Sequence, residues 1–125
     1  MIAALPAFWV GILYDQASLD AAWDLVKNWT AEERQQLRDD VPRQALKASI
    51  RGRSLLDLAS ECLTLARAGL KRRARLDREG RDETRYLESL GDIVSRGHTT
   101  AEELLRKFHG EWKGSVEPIF TEYAY

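Results

Sequence analysis

Residues Ser54–Leu76 read SLLDLASECLTLARAGLKRRARL, and this stretch decides the fold. At about 100° per residue, Leu55, Leu56, Leu58, Ala59, Cys62, Leu63, Leu65, Ala66, Gly69 and Leu70 cover about half of a helix circumference. Asp57, Ser60, Glu61, Thr64, Arg67 and Lys71 share the other half. A helix packed on one partner shows a narrower apolar stripe. This one therefore needs a groove between at least two neighbours. Ser54 with Asp57 three residues later is a start signal, since a serine hydroxyl can accept from the N–H of the first turn. The Lys71-Arg72-Arg73-Ala74-Arg75 run suits the negative end of the same helix.

Upstream, Val41–Arg53 reads as a loop or broken turn. It holds Arg43, Lys47, Arg51 and Arg53, with no acid after Asp40. Thr30-Ala31-Glu32-Glu33 is a capping box, so a helix from about Ala31 to Asp39 should follow. Pro42 argues against its continuation, because the residue before a proline avoids helical angles. Leu19, Ala22, Trp23 and Val26 fall on one face of a helix from about Ser18 to Asn28. Leu5–Asp15 reads LPAFWVGILYD, and Ala7–Tyr14 has no polar face at all. A short helix that is apolar all round needs cover on every side. Three readings compete for it: a membrane or export segment, the first helix of a bundle, or an interior piece of something larger. A spanning helix needs about 20 apolar residues, and this run ends at Asp15 with Pro6 and Gly11 inside it. An export signal needs a basic start, and Met1-Ile2-Ala3-Ala4 carries no charged side chain. The membrane and export readings are the weakest of the three.

Downstream, Leu76–Glu83 is charged, contains Gly80 and reads as an exposed turn. Tyr86, Leu87, Leu90, Ile93 and Val94 define another helix, closed by Gly97. Thr100-Ala101-Glu102-Glu103 repeats the capping-box pattern and starts a helix ending near Gly110. The tail holds Trp112, Pro118, Phe120, Tyr123 and Tyr125. No stretch alternates with a period of two between turn residues. The expected fold class is all-α: five or six helices joined by short loops, in one segment over residues 1–125.

The chain of 125 residues allows one domain, and its net charge of −1 gives no electrostatic case for nucleic acid or anionic membrane. Cys62 is the sole cysteine, so an internal disulfide cannot form and a thiolate zinc site is not expected. A reducing cytoplasm is the simplest home. His98 and His109 lack ligand spacing, and no metal site is read from them. Glycine-rich phosphate loops are absent. The acidic pairs Glu32-Glu33 and Glu102-Glu103 are explained as helix starts. The basic run at Lys71–Arg75 is followed at once by Asp77, Glu79, Asp82 and Glu83, against the sustained basic surface that nucleic acid requires. The loop cations stand out more. They either dock onto acids elsewhere or bind an anionic ligand.

Three stretches in order carry a resemblance: ALPAFWVGILYD at 4–15; the tryptophans at 23 and 29 with TAEER, LR, VP and LK through residue 47; and TAEELL, HGEW, GSVEPIF and EYAY from residue 100 to the end. They resemble the C-terminal third of plant-type glutamate–cysteine ligases, over nearly the whole chain. Some plant members have a cysteine where this chain has Ala3. The resemblance implies a glutamine-synthetase-like ligase that uses ATP and magnesium to join the γ-carboxyl of glutamate to the amine of cysteine, the first step of glutathione synthesis. It implies that the sheet and the acids that hold magnesium and ATP lie upstream of this chain. On that reading the chain is an incomplete C-terminal portion, inactive alone, and its partner is the missing N-terminal catalytic portion. Glutamate, cysteine and ATP are then the small-molecule partners of the complete enzyme.

No catalytic residue is assigned. Lys47, Arg51 and Arg53 are the candidates for a substrate carboxylate or phosphate, and Phe8 and Trp9 for backing the sheet near the pocket. Uncovered apolar surface should drive self-association. The alternative is a stand-alone helical interaction module that holds a partner helix.

Overall fold

The structure is a computed structural model and describes residues 2–124. Tyr125, the last aromatic of the tail, lies outside the described residues. Among the described residues seven α-helices follow one another: α1 (Ala4–Leu13), α2 (Gln16–Val26), α3 (Ala31–Gln44), α4 (Leu55–Arg73), α5 (Glu88–Arg96), α6 (Thr100–His109) and α7 (Ile119–Glu122). The all-helical expectation holds. The seventh helix is a single turn in the aromatic tail. Among the described residues the only strands are β1 (Ser49–Ile50) and β2 (Arg53–Ser54), one antiparallel hairpin.

Helix α4 is the spine. Leu58, Leu63, Ala66, Gly69 and Leu70 are buried, and α1, α2, α5 and the 3₁₀ turn at Glu83–Leu87 all pack on it. The wide apolar stripe thus meets several neighbours. Its closest partner is α1, and glycine sets the approach. A methyl group on Gly69 would lie 1.8 Å from the Gly11 carbonyl oxygen, and one on Gly11 would lie 2.2 Å from that of Ala66. The two backbones touch because neither residue has a side chain. Around this crossing Ala7, Ile12, Leu63, Ala66, Leu70 and Leu87 form the core.

A polar clasp closes one end of the crossing. Asp15 caps α2 by accepting from the Ser18 N–H at 2.8 Å. The Arg72 guanidinium grips both Asp15 carboxylate oxygens, at 2.9 and 2.6 Å. Ser18 is fully buried, donates to the Leu65 carbonyl at 2.9 Å and accepts from Arg72 at 2.9 Å. The α2 helix therefore begins at Gln16 rather than at Ser18, because Asp15 is the cap.

Three other boundaries differ from the sequence reading. Helix α3 continues through Pro42 to Gln44. The proline removes one N–H and crowds the carbonyl four residues back, yet only the last turn is affected. Side-chain bonds from Gln35 to Asp39 and from Gln36 to Asp40 brace the turn before it. The helix then stops at Ala45, whose φ is 47°. Secondly, the supposed loop at 41–53 contains the β1–β2 hairpin. Thirdly, the cap of α6 is Thr99, not Thr100: Thr99 Oγ1 accepts from the Glu102 N–H at 3.3 Å, and Glu102 accepts from the Thr99 N–H at 2.7 Å. Glu103 is thereby free to accept from Arg96 at 3.2 Å and from the Tyr123 hydroxyl at 3.1 Å. The tail folds back on α6, where Trp112 Nε1 and Lys107 Nζ both donate to Glu122, at 2.9 and 2.7 Å.

Candidate site: a cationic hairpin and an uncovered apolar groove

The hairpin turns on Arg51 and Gly52, with φ values of 50° and 76°. A two-residue turn with both central residues in this region matches the twist of the flanking strands, and asparagine or glycine are its usual occupants. Arginine pays a steric cost there, so the reading of 41–53 as a loop or broken turn did not extend to a two-residue hairpin turn at Arg51-Gly52. Its side chain supplies the compensation. Arg51 Nε donates to Glu33 Oε1 at 2.8 Å, and its terminal nitrogen donates to the Asn28 carbonyl at 2.5 Å. Glu33 Oε2 meanwhile accepts from the Thr30 N–H at 2.8 Å. One carboxylate closes the capping box of α3 and anchors the hairpin. The Arg51 hydrogen bond, then that of the Thr30 N–H, holds the Glu33 carboxyl below its ordinary range.

Arg53 donates to Glu61 on α4 at 2.5 Å. Two of the three candidate cations are thus committed to acids of neighbouring helices. Lys47, in a 3₁₀ turn at Ala45–Lys47, is exposed and has no ion-pair partner among the described residues. It lies within electrostatic reach of Glu102, whose carboxyl is lowered chiefly by the Thr99 N–H and further by Lys47.

Phe8 and Trp9 meet edge to face at 5.4 Å on α1 but enter different surroundings. Phe8 is half-buried and lines an apolar pocket of about 210 Å³ with Leu5, Leu46, Leu63 and Leu90. Trp9 is 51% exposed. Phe8 and Trp9 share a second groove with Ile12, Leu13, Leu19, Ala22, Trp23, Val26 and Cys62, about 300 Å³ in volume. It runs between α1 and α2, with Cys62 of α4 closing the third side. No Asp, Glu, Lys, Arg or His lines it, and Leu13 is 52% and Trp23 62% exposed. None of the three cations lines either apolar pocket. The five candidate residues therefore do not converge on one site.

Cys62 sits half-buried in the groove wall, where burial, then the Glu61 charge, pushes its thiol above the ordinary value. The groove leaves the thiol partly open. Sequence reasoning placed Trp23 on the α2 face but had no means to show that α1 would leave that face uncovered. Asp15 and Arg72 were missed as a pair because they are 57 residues apart.

Among the described residues no three His, Cys, Asp or Glu side chains converge to hold a metal ion. His98 Nδ1 lies 3.0 Å from the Arg96 carbonyl oxygen, and His109 packs against Phe108. No helix is long and apolar enough to cross a membrane among the described residues.

A family model described as glutamate-cysteine ligase family 2 (GCS2) matches residues 1–122. The chain is 46% identical over 124 residues to "Glutamate--cysteine ligase, chloroplastic" of Solanum lycopersicum, covering 99% of this chain and 23% of that protein. It is 44% identical to the protein of the same name from Arabidopsis thaliana, with the same coverage. Against "Glutamate--cysteine ligase A, chloroplastic" of Oryza sativa subsp. indica the identity is 43%, over 24% of its length. The chain spans about a quarter of the length of the curated relatives it matches.

Proposed function

Because the chain belongs to glutamate–cysteine ligase family 2, we propose that it serves as a C-terminal helical portion of an ATP-dependent ligase that makes γ-glutamylcysteine, the first step of glutathione synthesis. The observation that carries this reading is the family match across residues 1–122. In such a ligase, phosphoryl transfer from ATP to the glutamate γ-carboxylate yields an acyl phosphate, which the cysteine amine then attacks. Charge grows on the transferring oxygens and must be met by cations. Among the described residues no three His, Cys, Asp or Glu side chains gather to hold an ion; this reading assigns the metal and nucleotide to the remainder of the ligase, and no step is routed through them here.

The part assigned to this chain is support and one wall of the substrate site. Lys47 is the first candidate for a substrate carboxylate or phosphate, since it is exposed and unpaired. Arg51 and Arg53 could serve only by leaving Glu33 and Glu61. Phe8 and Trp9 would back the catalytic layer. The sole cysteine is consistent with a reducing compartment, and we assign the cytoplasm; the plant relatives carry "chloroplastic" in their own names.

The test is ligation of glutamate and cysteine in the presence of ATP, with this chain alone and then mixed with the remainder of the ligase. The expected result is no turnover alone and γ-glutamylcysteine from the mixture. An inert mixture overturns the reading. The second reading, a stand-alone module holding a partner helix, is favoured by the apolar groove itself. A chain that stays a compact monomer and ignores an apolar dye, in a mixture without turnover, would support it.

A further inference from the structure

We propose that the groove between α1, α2 and α4 is the seat for an uncharged apolar segment of the remaining three quarters of the ligase. The inference rests on the proposed function and names the surface through which that function is assembled.

Three observations carry it. First, the groove is built. Ile12 at its base is 4% exposed and belongs to the core, so the floor is fixed, while Trp9, Leu13 and Trp23 rise from it more than half exposed. Large apolar side chains gathered on one face mark an interaction surface rather than ordinary scatter. Tryptophan at the centre of such a patch is the commonest energetic anchor of an interface. Secondly, the chemistry of the occupant follows from the lining. No Asp, Glu, Lys, Arg or His lines the groove, whose polar side-chain groups are two indole N–H groups and one thiol, and a buried charge without an oppositely charged partner is costly. Asp24, next in sequence to Trp23, is matched with Lys27 at 2.7 Å, and Glu61, next to Cys62, with Arg53 at 2.5 Å. Thirdly, the relatives are about four times as long as this chain, so the same polypeptide family supplies ample chain to fill it. The polar cleft between α4 and α5, lined by Asp57, Arg67, Glu88 and Asp92, lacks this apolar character and is not the seat.

Cys62 makes the proposal testable, because it is the sole cysteine of this chain and its thiol opens into the groove. The whole chain is labelled with a maleimide, alone and with the separately produced remainder of the ligase, and labelling is followed by mass spectrometry of the Cys62 peptide. The expected result is labelling at least tenfold slower in the mixture. Trp9→Gln and Trp23→Gln, both at exposed helical positions, should restore the free-chain rate while leaving the helical circular dichroism unchanged. Unchanged labelling in a mixture that makes γ-glutamylcysteine overturns the seat and leaves the proposed function standing. Protection without turnover upholds the seat and counts against the function. Protection that rises with the concentration of this chain alone, and that the remainder does not increase, identifies a second copy as the occupant and overturns the proposal.

Discussion

Gly69 touches the Gly11 backbone so closely that it carries the strongest single-residue prediction. Alanine within a helix normally gains about 1 kcal/mol over glycine. Here its methyl would stand 1.8 Å from a carbonyl oxygen, and a backbone atom cannot rotate away. The two helices must separate, and overpacking of this kind costs about 1–3 kcal/mol or more. Gly69→Ala should therefore lower the urea midpoint despite its better propensity. An unchanged or higher midpoint would mean that α1 is not held against α4 this way. The sequence showed Gly69 on the apolar stripe but not its partner, because close approach is a property of two segments 58 residues apart. Lys47 gives the matching functional test. In a complete ligase, Lys47→Gln should raise the Michaelis constant for glutamate or ATP several-fold, with turnover number little changed, because a ground-state contact would be lost. Equal constants would leave Lys47 as a solvent-facing residue.

Among the elements, α6 separates what the residue pattern conveyed from what it concealed. The run Thr99-Thr100-Ala101-Glu102-Glu103 contains two overlapping capping boxes, and spacing alone cannot choose between them. The chosen register puts Glu102 on Thr99 and frees Glu103 for Arg96 and Tyr123. Tertiary pairing thus decides a local question. Thr99→Ala should cost about 1 kcal/mol of helix stability, seen as faster amide hydrogen exchange through the first turn of α6. Thr100→Ala should change exchange little, and equal effects from both would return the cap to dispute. The same logic covers the other boundaries. Thr30 and Ser54 caps were legible because each has one partner at the right spacing. The hairpin was not, because an arginine in the left-handed region depends on Glu33 and Asn28 from elsewhere. Periodicity found the helices; it could not show that Pro42 sits near enough to the end of α3 to be tolerated.

At the scale of the whole molecule, the helical class and the uncovered character of α1 were readable from composition, since no small helix can be greasy on all sides without partners. Which side stays bare needed the packing of α2 and α4. The clasps that tie these pieces together make a pH prediction. The Arg72 guanidinium, then the Ser18 N–H, holds the Asp15 carboxyl far below the usual carboxylate range. Asp77 accepts from the N–H groups of Glu79 and Arg81 and from the side chains of Arg81 and Arg85. The Arg81 N–H chiefly, with that cationic company, lowers it to about 2. Both folded values lie below those of the unfolded chain, near 3.9. Above about pH 5 both states are ionised and the full contribution is present. As pH falls, the unfolded chain binds protons first, so stability declines as protons accumulate. Urea midpoints should be level from pH 7 to about 5 and then drop between about pH 5 and 2. Asp15→Asn should start lower at pH 7 and fall less steeply across that window, because the variant has lost one titrating clasp. Parallel curves for the two proteins would show that the α1–α2 corner is not fastened to α4 through Asp15 and Arg72.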